Sequence, residues 1–401
     1  MYRFVIVGSG WRSMYYVRIA KALPQVFELS AMLCRTQEKA DRIAEEMDIH
    51  TTLSIEECEK YQPDFVVVAV NKSSIGEVSK EWMAKGFTVL CETPPTVDVE
   101  ELREFWRLHQ AGQKLCVAEQ YFRYPTYQAM LKVLDQGWIG EPYNVNVSLA
   151  HEYHGVSLVK KILHTENETF FISGKRYAFP VMETASRYEH FTDGRVADKS
   201  RDMVTIEFES GKVAYYDFSS EQYRSGIRSN YVKAQGVRGE LQGMAGSYGS
   251  FCKMSEEIAD PDYENQEYKG GLFTEIHYMD ELNHPRKQYL TLDTRQVATG
   301  DNNPNLSEIT EVIGVKLGGY PYDAPGGTIV YEPQEEFGLC GLAEDETAIA
   351  SMMLGAARYN EGGEELYPLK DALTDAYMAG LMQRALEQPG VVLHSEKQPW
   401  Q

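Results

Sequence analysis

The start of the chain restricts the fold more than any other part of it. Phe4-Val5-Ile6-Val7 is an apolar run of strand length, Gly8-Ser9-Gly10 follows at once, and Ser13–Leu23 has the apolar spacing of a helix. Buried strand, glycine turn and helix in that order open a βαβ unit. The pattern then repeats. Leu29–Cys34, Phe65–Val70, Thr88–Cys91 and Leu115–Ala118 are short, nearly continuous apolar runs, as strands buried on both faces require. Between them Gln37–Met47, Ile75–Lys85 and Val99–Gln110 are amphipathic. Alternation of this kind forces right-handed crossovers and a doubly wound parallel sheet. The expectation is an α/β Rossmann domain over residues 1–122.

After Pro125 the pattern changes. Tyr127–Asp135 has helical spacing, Gly137–Pro142 is a turn, Tyr143–Ala150 alternates as a strand, and Gly155–Leu163 returns to helical spacing. Met203–Phe208 and Val213–Phe218 flank Glu209-Ser210-Gly211-Lys212 as a hairpin. The stretch from Gln242 to Leu342 is rich in Gly, Tyr, Pro and acids, with weak periodicity, and irregular strands and long loops are expected there. Glu344–Tyr359 and Leu369–Glu387 form a closing helical pair. Residues 123–401 are therefore expected to form a C-terminal α+β domain for substrate and oligomerisation. It should have a large, mostly antiparallel, open-faced sheet, and the closing helices 344–387 are placed so that they can pack back on the first domain.

A chain of 401 residues exceeds one ordinary core, which agrees with two domains. Its formal net charge of −21 repels phosphate backbones and anionic lipid, so neither nucleic acid nor membrane is an expected partner. No apolar run approaches the roughly 20 residues that span a bilayer. Met1 leads into the first strand without a signal-like segment, which sets a cytoplasmic expectation. None of the six cysteines, Cys34, Cys58, Cys91, Cys116, Cys252 and Cys340, forms a close pair, so neither a zinc site nor a disulfide framework is indicated. His164 and Glu166 lack a third ligand, and no metal is expected.

The glycine turn has a chemistry of its own. Gly8 permits a tight turn and Gly10 lets backbone approach a diphosphate, which would rest on amides at the positive end of the helix. Ser9, Trp11 and Arg12 complete the loop, and Ser13 is small enough to pack where a third glycine is usual. At the end of the second strand an acid would bind both ribose hydroxyls and favour NAD. The chain instead carries Arg35 and Thr36, with Lys39 a turn later, a set suited to a 2′-phosphate. NADP is the expected cofactor, with NAD the alternative.

Several segments in order carry a family resemblance: Val5–Gly10, Val66-Val67-Val68-Ala69-Val70-Asn71, Ala84–Pro94, Arg123-Tyr124-Pro125, Gly137–Glu141 and Tyr367–Leu373. The chain resembles the Gfo/Idh/MocA oxidoreductases, the group of glucose-fructose oxidoreductase and inositol dehydrogenase. The resemblance implies hydride transfer between a sugar or polyol carbon and nicotinamide C4, with a group at hand to hold the carbinol proton. It also implies that Asn71, Glu92, Thr93 and Pro94 border the cofactor, and that the open sheet face is buried in a homodimer or a higher symmetric assembly.

The chain departs from the family where the chemistry is expected. Thr93 stands at the lysine of the E-K-P segment, and threonine neither carries charge nor titrates near neutrality. Matching Tyr153-His154-Gly155-Val156-Ser157 to the family's D-x-G-x-H places Tyr153 at the Asp and Ser157 at the His. Candidate catalytic residues in their place are Tyr153, His154 and Ser157, with Tyr121, in the first domain, as a substrate hydrogen-bonding group. Lys161 is read as sharing a helix face with Tyr153 and Ser157, and His151 flanks the same point. Arg123, Tyr177, Arg187, His190 and Tyr223 are further polar candidates. Three functions fit: an NAD(P)-dependent oxidoreductase acting on a carbohydrate-derived or related small polar substrate, a catalytically inactive dinucleotide-binding sensor or regulatory protein, and an NAD-dependent, non-redox glycoside-cleaving enzyme.

Overall fold

The computed structural model describes residues 1–184, 186, 191–225, 228, 230–245, 273–298, 308–319, 328–331 and 334–401. Two compact units emerge. The first comprises Met1–Arg123, Asp345–Gly380 and Lys397–Gln401, and the second Tyr124–Glu344 and Leu381–Glu396.

The first unit is a six-stranded parallel sheet in the order β3-β2-β1-β4-β5-β6, formed by β1 Tyr2–Val7, β2 Phe27–Leu33, β3 Thr51–Thr52, β4 Phe65–Val68, β5 Val89–Cys91 and β6 Leu115–Val117. Strand order reverses between β1 and β4, the topological switch point beside which such sheets bind ligands. Phe65-Val66-Val67-Val68 is buried at every position, because helices cover both faces. The helices are α1 Ser13–Ala22, α2 Gln37–Met47, α3 Ile55–Lys60, α4 Ile75–Ala84 and α5 Val99–Gln110. In α5 the Asp98 carboxylate accepts from the Glu101 amide at 2.9 Å, with acids in the first turn and Arg107 and His109 in the last, each sign where the helix dipole favours it. The strand Thr51–Thr52 and the helix after it add a sixth strand that the apolar pattern does not announce. Two residues are too few to show a period, and α3 depends on its Ser54 cap, which accepts from the Glu57 amide at 3.1 Å.

The helix Glu344–Asn360, from Asp345 on, and the part of Leu369–Glu387 up to Gly380 belong to this first unit. Lys114 donates to the carbonyls of Tyr359 and Asn360 at 2.9 Å each, and Thr88 donates to the Asn360 side chain at 2.7 Å. Phe122 stacks on Tyr367.

The second unit contains an eleven-stranded sheet among the described residues, in the order β16-β15-β14-β13-β12-β11-β7-β10-β9-β8-β17. Its centre is β7 Pro142–Ser148, flanked by β10 Val213–Phe218 in parallel and β11 Asn230–Gly236 antiparallel. On one side lie β9 Val196–Phe208, β8 Phe170–Met182 and β17 Leu393–His394. On the other lie β12 Gly239–Ala245, β13 Phe273–Met279, β14 Pro285–Ala298, β15 Glu308–Gly319 and β16 Thr328–Tyr331. Apart from β7 with β10, every pair is antiparallel. The hairpin expected at Glu209–Lys212 joins β9 and β10, with Gly211 at φ +84°.

Helices α6 Pro125–Asp135 and α7 Glu152–Leu163 belong to this unit. Alternation places Ala214, Tyr216 and Phe218 of β10 on one face with Val145 and Val147 of β7 and with Val232 and Ala234 of β11, all buried. α7 lies on that face. A Cβ on Gly155 would sit 2.7 Å from Tyr216 Cε2, so the helix approaches the sheet as closely as glycine permits.

Gly155→Ala should therefore destabilise the second unit by about 1–3 kcal/mol through overpacking. A lower Tm would register this, and Tyr216→Phe, which keeps the ring, should not restore it.

Candidate functional site

At the carboxyl end of β1 the backbone leaves no room for a side chain. Gly8 has φ +112°, and a Cβ there would lie 2.3 Å from the Ala69 carbonyl oxygen, just beyond β4. Only glycine meets both conditions. At Gly10 the reverse holds: a Cβ would meet nothing within 4 Å. The amides of Ser13, Met14 and Tyr15 close back on the carbonyls of Gly10, Trp11 and Arg12 at 3.1–3.2 Å. The first helical turn is thus internally bonded, and among the described residues the amides of Gly10 and Arg12 have no partner. The donors available to an anion sit in the turn itself rather than in the helix proper. Ser13 is wholly buried, as a stand-in for a third glycine must be.

Arg12 crosses the strand ends. Its Nε lies 2.8 Å from Glu92 Oε1, after β5, and its Nη1 lies 3.0 Å from Asp345 Oδ2, in the first turn of Glu344–Asn360. Glu92 also accepts from the Tyr16 hydroxyl at 2.6 Å, and Asp345 from the Gln120 amide, after β6, at 3.1 Å. Burial alone would lower the Arg12 guanidinium, but Glu92 and Asp345 outweigh it and hold it well above its ordinary value. Burial, then Glu92, push the Tyr16 phenol well up. The Tyr15 ring sits between Arg12 at 5.0 Å and Arg18 at 4.5 Å, and Arg18 pairs with Glu346. Thr93–Pro94 is cis.

The remaining first-unit candidates occupy the same edge of the sheet. Arg35 and Thr36 follow β2 and are exposed, Thr36 as the N-cap residue just before α2, with Lys39 half-buried in the first turn of that helix. Ser9 and Cys34 share a side-chain hydrogen bond that partly offsets the upward push of burial on the thiol. Asn71 is exposed beyond β4, and its carbonyl accepts from the Ser74 amide at 2.9 Å. Tyr121 is buried in a 3-10 turn, where its amide donates to Glu119 Oε1 at 3.1 Å.

In the second unit Tyr153, His154 and Ser157 all lie on α7. Tyr153 is buried, its ring edge-on to that of His154 at 5.9 Å. The Ser157 hydroxyl donates to the His154 carbonyl at 3.0 Å, which commits its proton to the helix backbone. The His151 amide donates to the Tyr223 hydroxyl oxygen at 2.9 Å, and the two rings meet edge-on. Lys161 does not complete the face as expected. Eight residues at about 100° each place it about 80° round from Tyr153, whereas Lys160 is about 20° away. Lys160 is wholly buried and Lys161 only half-buried. Spacing by eights misses this; seven is the nearer repeat. Tyr177 is exposed on β8. Arg187 and His190 lie outside the described residues.

Residues 2–120 match the Gfo/Idh/MocA oxidoreductase family, NAD-binding Rossmann fold. This domain belongs to that family. No curated protein matches the sequence. Solved structures extend the likeness of fold to the whole chain. An NAD-binding oxidoreductase of Klebsiella pneumoniae superposes with TM-score 0.64 at 14% identity, covering 99% of this chain and 100% of its own. An oxidoreductase of Agrobacterium radiobacter, in complex with NAD+, L-tartaric acid and magnesium, gives 0.62 at 11%, covering 98% of each. The UDP-N-acetylglucosamine 3-dehydrogenase of Acidithiobacillus ferrooxidans gives 0.57 at 13%, covering 97% of each. A Rossmann unit and a unit with a mostly antiparallel sheet are the fold they share. Among the described residues no helix is long and apolar enough to cross a membrane, and no cluster of metal-ligating side chains occurs.

Removing the Arg12 guanidinium leaves Glu92 and Asp345 partly buried without their shared cation. Arg12→Met should cost about 3 kcal/mol and lower the Tm of the first unit by several degrees. Arg12→Lys should recover little of this, since one ammonium cannot reproduce a fork that reaches two carboxylates in different directions.

Proposed function

We propose that the protein is an NAD(P)-dependent oxidoreductase acting on a carbohydrate-derived or related small polar substrate, with acid–base residues of its own. The observation that carries this reading is the turn after β1, where Gly8 fits and no other residue does, Gly10 faces open space, and two amides are available. Those features suit a dinucleotide diphosphate. Gly8, Ser9, Gly10, Trp11, Arg12 and Ser13 would hold the diphosphate, with Asn71, Glu92, Thr93 and Pro94 bordering the nicotinamide half. When bound, the cofactor supplies the hydride acceptor or donor.

The protein's part is to position the substrate carbon and to hold the carbinol proton. Thr93 cannot do this, and Ser157 spends its proton on the His154 carbonyl. The role falls to Tyr153 or His154, with Tyr121 as a hydrogen-bonding group in the first unit. Arg35, Thr36 and Lys39, set outside the end of β2, favour the 2′-phosphate of NADP over NAD. The complex of the Agrobacterium relative with L-tartaric acid supports a small polyhydroxylated substrate. We place the protein in the cytoplasm, in keeping with free cysteines at 34, 58, 91, 116 and 340. We further assign it to a homodimer or a higher symmetric assembly. Tyr177, Phe179, Met203 and Tyr215 are exposed on the sheet face opposite α7, and a second copy would bury them.

Isothermal calorimetry should show binding of both nicotinamide dinucleotides, with NADP+ the tighter. Arg35→Ala should weaken NADP+ at least tenfold and leave NAD+ unchanged. Turnover of a panel of sugars, polyols and keto-sugars, followed by absorbance of the reduced nicotinamide, should fall strongly in Tyr153→Phe or His154→Gln. Binding of neither dinucleotide sinks the reading. Light scattering should give at least twice the chain mass at micromolar concentration, and Phe179→Glu with Tyr215→Glu should yield monomer.

A further inference from the structure

Asn230 opens β11 and shares a sheet face with Val232 and Ala234, two and four residues on, and all three are wholly buried. Tyr231 stands opposite Ser148, which sets Asn230 one step further, level with Leu149 in the link between β7 and α7. Val232, Val147 and Tyr216 form one row across β11, β7 and β10, so this face is the one on which Gly155 of α7 rests. The Tyr216 hydroxyl donates to the Ala150 carbonyl at 2.8 Å in the same link. Asn230 thus lies under the N-terminal end of the helix that carries Tyr153 and His154.

Among the described residues neither Nδ2 nor Oδ1 of Asn230 has a hydrogen-bond partner. Nearby, Gln222 and Ser148 are paired with each other. Gln222 donates to the Ser148 hydroxyl at 3.1 Å and accepts from the Ser219 amide at 3.0 Å, on a capped 3-10 turn. A buried carboxamide open at both ends is costly and rare in a native fold. The next inward residues of the strand are aliphatic, so packing alone does not call for an amide. A donor and an acceptor side by side match a hydroxyl group, which both gives and takes a hydrogen bond.

We propose that Asn230 is a substrate-binding residue whose carboxamide pairs with a hydroxyl of a sugar, polyol or hydroxy acid. The proposal rests on the oxidoreductase reading above and names a group that would select its substrate. A ligand reaching it inserts between the strand end and the start of α7.

The test is thermal unfolding of the full chain with and without saturating NADP+, and then with myo-inositol, D-glucose, D-gluconate or L-tartrate added as probes. Wild type, Asn230→Leu and Asn230→Ala are compared. At least one probe should raise the Tm of the cofactor-loaded wild type. Both variants should lose that response, or need at least tenfold more probe for it, while keeping the full response to NADP+. Without ligands, Asn230→Leu should unfold at the same temperature as wild type or higher, because an aliphatic side chain replaces an unpaired amide. The proposal is overturned if both variants keep the probe response. It is overturned equally if no probe acts on wild type, or if both variants are markedly less stable, since the amide is then paired inside the fold. A wild type that ignores NADP+ and NAD+ instead marks failure of the cofactor reading, a separate and visible outcome.

Discussion

How closely the turn after β1 can lie against the end of β4 governs the cofactor end of the first unit. The Ala69 carbonyl occupies the space in which any side chain at position 8 would begin, and the positive φ there excludes other residues independently. Two separate constraints thus fix one glycine. With Gly8 pinned, Gly10 is turned towards open space and its amide is left over, and α1 starts with its first amides already closed. The anion binding proposed for this turn would come from backbone geometry. It is compatible with a strongly negative overall charge because local donors outweigh distant carboxylates within a few ångströms.

The same strand ends show what becomes of a charge that sequence comparison would count as lost. Position 93 has no cation, yet a guanidinium lies against the neighbouring carboxylate. It comes from Arg12, eighty residues earlier in the chain. Its second contact, with Asp345, ties the closing helix to the loop, and Arg18, six residues on, pairs in the same way with the adjacent Glu346. Arg12 is therefore neutralised rather than left free to stabilise an alkoxide, with two carboxylates for one guanidinium. On the function proposed above, a site arranged in this way would leave the proton chemistry to groups outside the glycine turn, such as those of α7.

Much of the fold was legible in the sequence because apolar period and caps report burial directly. Phe65–Val68 reads as a strand covered on both faces, and Gln37–Met47 and Val99–Gln110 have the limits their patterns suggest. The strand Thr51–Thr52 was not legible, since a pair of threonines has no periodicity and owes its conformation to the neighbouring β2. In the site, residues that act through the backbone were readable: a glycine before a helix has few other uses. Residues that act through distant partners were not. Nothing in the local sequence links Arg12 to Asp345, and the difference between Lys160 and Lys161 as the buried lysine is a matter of helical phase that an integer spacing blurs.

The polar groups around α7 point to one further step. A helix held so close to its sheet that glycine is needed at the contact has little freedom to shift, and Tyr216 secures the preceding link as well. The buried Tyr153, Ser157 and Lys160 lie on roughly the opposite side of the helix from Gly155. Their burial therefore serves something other than contact with the sheet, and burying polar groups without a reason is unfavourable. On the function proposed above, a helix held rigidly on its sheet would keep Tyr153, on its far side, in a fixed position for a ligand.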